Sequence, residues 1–226
     1  TQYMFDRIDS IDTEILSYAT LMKDTALDKA RKLSEISDVS DLPMYGIPIA
    51  VKDLCYTNGV RTMGGTAVLE NFVPKYDSTV VARLDKAGAI LLGKLNLTEG
   101  AMGGYNPKRQ VPKNPWDTTK WSGSSSSGSG ASTAAGLCFG SLGSDTGGSI
   151  RYPSSACGIV GLKPTYGRVS RYGVLDLAPS LDHVGPMTRT VNDAWTMFNA
   201  IEGFDPKDPT TVKRDSDEVI NHLDKS

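Results

Sequence analysis

Apolar residues recur at helical spacing through the first part of the chain. This spacing predicts a helix over residues 3–13 and another over residues 23–33, with a strand within residues 15–22. A plain helical hairpin fits the same periodicity, because spacing alone does not separate the two arrangements. The first part of the chain is therefore predicted as two helices, with the strand between them left open.

Farther along, short continuous apolar runs alternate with helical patterns. Runs over 47–53 and 89–92 predict buried strands, and the segment between them predicts a helix over 78–87. The alternation continues to residue 162, and a last amphipathic helix is predicted over 191–201. This order of elements predicts an α/β fold, in which helices cover both faces of a mixed, largely parallel β-sheet.

Two segments rich in Gly and Ser interrupt this alternation. Residues 123–130 and 143–149 are predicted as loops, and the Ala-rich residues 131–139 between them predict a short helix. Two loops joined in this way can fold back to face each other. By itself the first segment is more typical of a flexible linker, but the ordered pattern of the second segment disfavours that interpretation.

Ser149 closes the second loop and is the candidate nucleophile. The glycines before it allow positive φ, which can turn several backbone N–H groups towards one small space. If Ser149 attacks a carbonyl carbon, such N–H groups would stabilise the negative charge that develops on the oxygen. The candidate donors of this oxyanion hole are the N–H groups of Thr146, Gly147, Gly148 and Ser149 itself.

A serine nucleophile needs a base, and the chain has few histidines to supply one. His183 and His222 are the only two, and His222 lies in a charged tail, so a Ser-His-Asp triad is disfavoured. A buried lysine whose pKa is depressed can act as the base instead. Lys52 is the candidate, because it ends the apolar run over 47–53 and would be delivered to a sheet edge.

Composition limits the other possibilities. The 226 residues are 39% hydrophobic, which is enough for a real core, and the net charge of −2 argues against a built-in surface for polyanions. Cys55, Cys138 and Cys157 are odd in number and lack the spacing of zinc sites, so reduced thiols and no structural metal are expected. No apolar stretch approaches the length of a membrane span.

One nucleotide-binding pattern is incomplete. Residues 88–94 satisfy the first seven positions of a phosphate-binding P-loop, but Leu95 stands where the motif needs a hydroxyl. The interval between the glycines is also an apolar strand rather than a loop. Lys94 is therefore expected to support the end of the strand, and no cofactor-binding residues are assigned in this chain.

The lysine run and the paired loops together resemble the amidase signature family. The run is Gly-Ile-Pro-Ile-Ala-Val-Lys-Asp over 46–53, and the nucleophile motif is Gly-Gly-Ser-Ile-Arg over 147–151. The resemblance implies a Ser-Ser-Lys triad of Ser149, Ser125 and Lys52, in which Ser125 lies on a cis peptide and relays a proton between the other two. The chain departs from the family's Gly-Gly-Ser-Ser-Gly-Gly motif, because Ser124 and Ser127 replace its second and fifth residues.

Further segments resemble one branch of this family, the glutaminase component of glutamyl-tRNA(Gln) amidotransferase. The most specific is Lys-Pro-Thr-Tyr-Gly-Arg-Val-Ser-Arg-Tyr-Gly over 163–173, and the resemblance covers about 45–202. It implies an enzyme that hydrolyses glutamine and supplies ammonia for converting Glu-tRNA(Gln) to Gln-tRNA(Gln). The amidotransferase B subunit, together with a small third subunit, would be its partner. In such an assembly tRNA would bind mainly through the partners, and ATP and Mg²⁺ would belong to one of them.

Several expectations follow from this resemblance. Residues 1–226 would be the N-terminal part of a single, longer amidase domain, with a peripheral tail over 205–226. The departures from the branch favour the mitochondrial matrix, with the bacterial cytoplasm as the alternative. A general small-amide amidase and a non-catalytic scaffold with this fold are the alternative functions.

Overall fold

The computed structural model describes residues 1–213, which form two sheets and the helices packed on them. The helices are α1 (Gln2–Ile15), α2 (Lys23–Ser34), α3 (Thr79–Lys86), α4 (Ser127–Ala134), α5 (Arg151–Cys157) and α6 (Val191–Ile201), with a 3₁₀ turn at Glu99–Ala101. The strands are β1 (Tyr18–Leu21), β2 (Pro48–Lys52), β3 (Ile90–Leu95), β4 (Lys113–Asn114), β5 (Asp117–Trp121), β6 (Gly140–Asp145), β7 (Val160–Gly161) and β8 (His183–Thr188).

The main sheet has the strand order β1-β3-β2-β6-β8-β7. β3, β2 and β6 are parallel, and antiparallel pairing adds β1 at one end and β8 and β7 at the other. Strands β3, β2, β6 and β7 therefore share one direction, against β1 and β8. The predicted mixed, largely parallel sheet is confirmed.

The central strand β2 shows why helices lie on both faces. Its side chains alternate, and all five of its residues are buried. Ile49 and Val51 pack into a core formed with α3 and α6, whereas Ala50 packs into a second core formed with α1 and α2. A strand that is buried on both faces needs two helical layers, so the predicted covering of both faces is also confirmed.

The parallel pairing of β2 with β6 decides where the chemistry can assemble. Ala50 is in register with Ser141 and Val51 with Leu142, so both strands end at the same edge of the sheet. Lys52 is the last residue of β2, and Asp145 is the last of β6. The loop that carries Ser149 therefore leaves the sheet beside Lys52.

Other local predictions are corrected by the structure. Residues 18–21 form a strand that pairs antiparallel with β3, so the helical hairpin is excluded for residues 1–34. Helix α4 spans Ser127–Ala134 rather than residues 131–139, so the first Gly/Ser loop is shorter than predicted. Residues 143–145 continue β6, which leaves the second loop to begin at Thr146.

The reason for the misplaced helix lies in its close packing. A Cβ on Gly128 would stand 2.5 Å from the carbonyl oxygen of Asn96 and 2.6 Å from that of Ser17. Helix α4 can pack this closely because glycine has no Cβ at the point of contact. Every residue of α4 from Ser127 to Thr133 is buried. Gly and Ser have low helix propensity in isolation, and tertiary packing outweighs it here.

The first part of the predicted peripheral tail is anchored to the fold. The Asp205 carboxylate accepts hydrogen bonds from Ser170 at 2.6 Å and Thr79 at 2.5 Å, and the Asp208 carboxylate accepts one from the Arg171 N–H at 2.7 Å. Both aspartates are buried. The rest of that tail, residues 214–226, lies outside the described residues. In residues 1–213, no helix combines the length and apolar character needed to cross a bilayer.

Candidate active site

Lys52 lies in a pocket of hydroxyl groups and has no access to solvent. Its Nζ is 2.6 Å from Ser125 Oγ, 2.8 Å from Ser126 Oγ and 2.9 Å from Ser144 Oγ. Burial removes the solvation that favours the ammonium and lowers the pKa of Lys52 from 10.5 to about 7, although nearby acidic groups oppose the shift. A substantial fraction of Lys52 is thus a neutral amine near neutral pH.

Ser125 and Ser126 reach the lysine from the turn that precedes α4. The peptide bond between Ser124 and Ser125 is cis. Ser126 is fixed from a second direction, because its Oγ donates to the Ser144 carbonyl at 3.1 Å and accepts from the Ser144 N–H at 3.2 Å. Ser125 Oγ has Lys52 as its hydrogen-bond partner in the described residues, which leaves the Ser125 hydroxyl free to exchange a proton with the amine.

The loop that carries Ser149 is organised by the buried carboxylate of Asp145. This carboxylate accepts from the Gly148 N–H at 2.8 Å and the Ile150 N–H at 3.1 Å, on either side of Ser149. Arg151 adds a two-point ion pair through Nε at 3.0 Å and an outer guanidinium nitrogen at 2.9 Å. Burial by itself would raise the pKa of Asp145, but the bonds from Arg151 and the backbone outweigh it and lower the pKa.

The two loops meet beside Lys52. The Ser126 N–H donates to the Ser149 carbonyl oxygen at 3.3 Å, and Gly123 lies against Pro153, where a Cβ would come within 2.5 Å of the Pro153 Cα. The structure therefore brings the loops of Ser125 and Ser149 together at one edge of the sheet. No hydrogen bond joins the two hydroxyls among the described residues.

The candidate oxyanion donors divide into two groups. Gly148 is committed, because its N–H already donates to Asp145. Within residues 1–213, the N–H groups of Thr146, Gly147 and Ser149 have no acceptor. They belong to Ser149 and the residues just before it, so they are available to bind a developing oxyanion.

Three contributors to this geometry were missed by the sequence reasoning. Ser126 and Ser144 complete the hydroxyl cage of Lys52. Asp182 holds the nucleophile loop from the other side, because it accepts a hydrogen bond from the Thr146 hydroxyl and others from the N–H groups of Leu177 and Ala178. A run of four serines signals that more than one can reach Lys52, but nothing in the local sequence reveals the partners of Ser144 and Asp182.

The remaining candidates have structural positions. Arg151 forms an ion pair with Asp145. His183 Nδ1 lies 3.2 Å from the carbonyl oxygen of Asp145, a backbone contact that supports the end of β6. Cys55, Cys138 and Cys157 are buried free thiols.

Comparison with known proteins adds an independent line of argument. The chain matches the amidase family over residues 1–226. It is 53% identical over 214 residues to a protein named as amidase AmiD from Mycobacterium tuberculosis, covering 93% of this chain and 45% of that protein. It is 45% identical over 225 residues to the glutamyl-tRNA(Gln) amidotransferase A subunit of Syntrophus aciditrophicus, covering 98% of this chain and 46% of that protein. The chain thus spans a little under half the length of the curated relatives it matches.

Solved structures agree with this placement. The crystal structure of the glutamyl-tRNA(Gln) amidotransferase A subunit from Thermotoga maritima superimposes with a TM-score of 0.84 at 40% identity, covering 95% of this chain and 45% of that one. The native peptide amidase from Stenotrophomonas maltophilia superimposes with a TM-score of 0.89 at 35% identity, covering 95% of this chain and 46% of that one. By sequence match, by fold and by the motifs around Lys52 and Ser149, the chain belongs to the amidase family.

Proposed function

We propose that this chain carries the catalytic centre of an amide hydrolase, with Ser149 as nucleophile, Ser125 as proton relay and Lys52 as base. The observation that carries the proposal is the environment of the Lys52 amine. It is fully buried, it has three hydroxyl neighbours within 2.9 Å, and its pKa is about 7. A hydroxyl can donate to a neutral amine as well as accept from an ammonium, so this cage accommodates both protonation states.

The proposed reaction uses these three residues in turn. Ser149 Oγ forms a bond to the carbonyl carbon of the amide while its proton passes to Ser125, and the Ser125 proton passes to Lys52. When the tetrahedral intermediate collapses, the carbon–nitrogen bond breaks and the proton returns by the same path to the leaving nitrogen. Water then hydrolyses the acyl-enzyme by the same proton route.

The oxyanion is assigned to the free N–H groups of the Ser149 loop. Those of Thr146, Gly147 and Ser149 stabilise the negative charge, while Gly148 serves through its bond to Asp145, which fixes the shape of the loop. Losing one donor of such a hole typically costs on the order of 10²–10³ in kcat. The amide hydrolase proposal therefore does not need a metal or a cofactor on this chain.

For the substrate we propose glutamine. The support is the similarity to amidotransferase A subunits, including 50% identity over 211 residues to that of an Exiguobacterium strain. In this role the chain releases ammonia for the B subunit, with a small third subunit completing the assembly. Those partners bind tRNA, ATP and Mg²⁺. The compared amidotransferase relatives are bacterial, so of the two compartments they favour the bacterial cytoplasm over the mitochondrial matrix.

The second candidate function is hydrolysis of other small amides. The 53% identity to AmiD and the superposition on a peptide amidase favour it specifically. Since the chain spans under half of these relatives, we also propose that a longer polypeptide completes the site, including the contacts that select the acyl group.

One experiment tests the proposal and separates its two substrates. Ammonia release by the full native polypeptide is measured with glutamine, propionamide and a peptide amide, alone and with the amidotransferase partners. Hydrolysis of glutamine that rises with the partners supports the glutaminase, and partner-independent hydrolysis of simple amides supports the general amidase. A folded polypeptide that releases no ammonia from any of them, with or without partners, contradicts catalysis and leaves the scaffold alternative.

A further inference from the structure

A second lysine is buried one strand away from Lys52, and the proposed chemistry does not use it. Lys94 is on β3, is as inaccessible to solvent as Lys52, and is in register with Val51, the neighbour of Lys52 in β2. Its Nζ donates to the Cys55 carbonyl at 2.7 Å and to the Thr62 hydroxyl at 2.7 Å, and it lies 3.4 Å from the Asp53 carboxylate.

The two lysines have opposite kinds of neighbours. Lys52 faces hydroxyls, which can donate or accept. Lys94 donates hydrogen bonds to a carbonyl and a hydroxyl, and a carboxylate lies close enough to form an ion pair with it. Oxygen Oδ1 of Asp53 has no hydrogen-bond donor among the described residues, so the ion pair with Lys94 is its compensation. The Lys94 site is built for a charged group that anchors, whereas the Lys52 site is built for one that exchanges protons.

What Lys94 anchors is the loop that follows β2. All three of its partners lie in residues 53–62, and Asp53 extends the contact to residue 64 because its carbonyl accepts from the Gly64 N–H at 2.8 Å. The other Asp53 oxygen accepts from the Met63 N–H at 3.0 Å. The loop is thereby folded back on itself around the buried side chain of Lys94.

This loop in turn supports the segment on which Ser125 rests. The Gly64 carbonyl oxygen accepts from the Gly100 N–H at 2.8 Å, and Gly65 is packed so closely that a Cβ would lie 2.9 Å from the Thr98 carbonyl oxygen. The Thr98 N–H then donates to the Ser125 carbonyl oxygen at 3.3 Å. A continuous series of contacts thus leads from Lys94 to the backbone of the relay serine.

We infer that Lys94 is a positioning residue, whose buried ammonium holds residues 53–65 so that Ser125 stays within proton-transfer distance of Lys52. The inference rests on the proposed function. Proton transfer requires heavy atoms within about 3 Å, and misplacement by about 1 Å can cost on the order of 10²-fold in rate. The incomplete P-loop pattern at residues 88–94 is thereby explained as a strand that ends in an anchor.

The test uses the rate at which a fluorophosphonate probe modifies Ser149 in the full native polypeptide. In that reaction Ser149 Oγ displaces fluoride from phosphorus, and its proton leaves through Ser125 and Lys52. The variants are Lys94→Met, which removes the anchor, and the double variant Lys94→Met/Asp53→Leu, which also removes the carboxylate left unpaired. Lys29→Met is the matched control, because Lys29 also pairs with an aspartate, Asp85 at 2.9 Å, and makes no hydrogen bond to the serines or to residues 53–65.

We expect the double variant to remain folded, with a urea midpoint at or above that of Lys94→Met, and to be modified about 100-fold more slowly than the wild type at saturating probe, with probe affinity within about threefold. Lys29→Met should match the wild type in rate. If Lys94 only stabilised the fold, the folded double variant would be modified at the wild-type rate. That result would overturn the inference and leave the proposed function intact. A wild-type protein that the probe does not modify would overturn the proposed function itself.

Discussion

The pKa of Lys52 predicts a particular pH dependence of the reaction. With a pKa of about 7, the neutral fraction of Lys52 rises from about 9% at pH 6 to about 91% at pH 8. We therefore expect kcat/KM for amide hydrolysis to increase about tenfold between these pH values and to change little between pH 8 and 9. An exposed lysine with its ordinary pKa of 10.5 would instead give about a tenfold increase for every pH unit over the whole range.

The same shift affects stability, with a sign that can be checked. The folded protein binds the Lys52 proton more weakly than the unfolded chain, so the destabilisation is complete below pH 7 and disappears as the pH rises towards 10.5. From pH 7 to pH 9 this group should raise the free energy of unfolding by about 2 kcal/mol. Lys52→Met has no such proton, so the difference in unfolding free energy between wild type and variant isolates the contribution of Lys52.

The assays are kcat/KM over pH 6–9 and urea unfolding of both proteins at pH 7 and pH 9. Lys52→Arg is the companion variant, because a guanidinium stays charged and should abolish turnover at every pH. A rate that keeps rising tenfold per unit through pH 9 would refute the depressed pKa. Equal pH dependence of stability in wild type and Lys52→Met would refute the burial argument on which it rests.

Two further sets of variants test the serine run beside Lys52 and the packing of helix α4. Ser125→Ala should lower kcat by several orders of magnitude and Ser124→Ala by much less. Ser126→Ala should be intermediate, because the Ser126 hydroxyl contacts Lys52 at 2.8 Å. Steady-state kinetics on the three variants give the order, and a more severe effect at Ser126 than at Ser125 would assign the relay to Ser126 instead. Gly128→Ala should destabilise the protein by about 1–3 kcal/mol, because its Cβ would stand 2.5 Å from the Asn96 carbonyl oxygen, whereas Gly103→Ala has open space and should be near neutral in urea unfolding.

The sequence could predict those parts of the fold that depend on local periodicity. The strand ending at Lys52 and the helix over Val191–Ile201 follow from apolar patterns that tertiary contacts only reinforce. Helix α4 was misplaced because its Gly and Ser residues favour loops locally. Its formation depends on contacts with Ser17 and Asn96, which are distant in sequence and carry no local signal.

The candidate site was predictable to a similar degree. The buried strand and the scarcity of histidine pointed to Lys52 as the base, and glycines pointed to the loop of Ser149. The contributions of Ser144 and Asp182 could not be predicted from the sequence, because they depend on how β6 and β8 pair. Lys94 could be recognised as a strand-end residue, but its anchoring of the loop after β2 became evident only from the three oxygen atoms around it.

The most direct test of the central claim is a search for the acyl-enzyme on Ser149. The full native polypeptide is mixed with an amide substrate, quenched in acid within milliseconds and analysed by peptide mass spectrometry, alongside Ser149→Ala. We expect the mass of the acyl group on the peptide containing Ser149, none in the variant, and a loss of turnover of several orders of magnitude on substitution. Turnover in Ser149→Ala within about tenfold of the wild type, or an acyl group attached at another residue, would contradict the account.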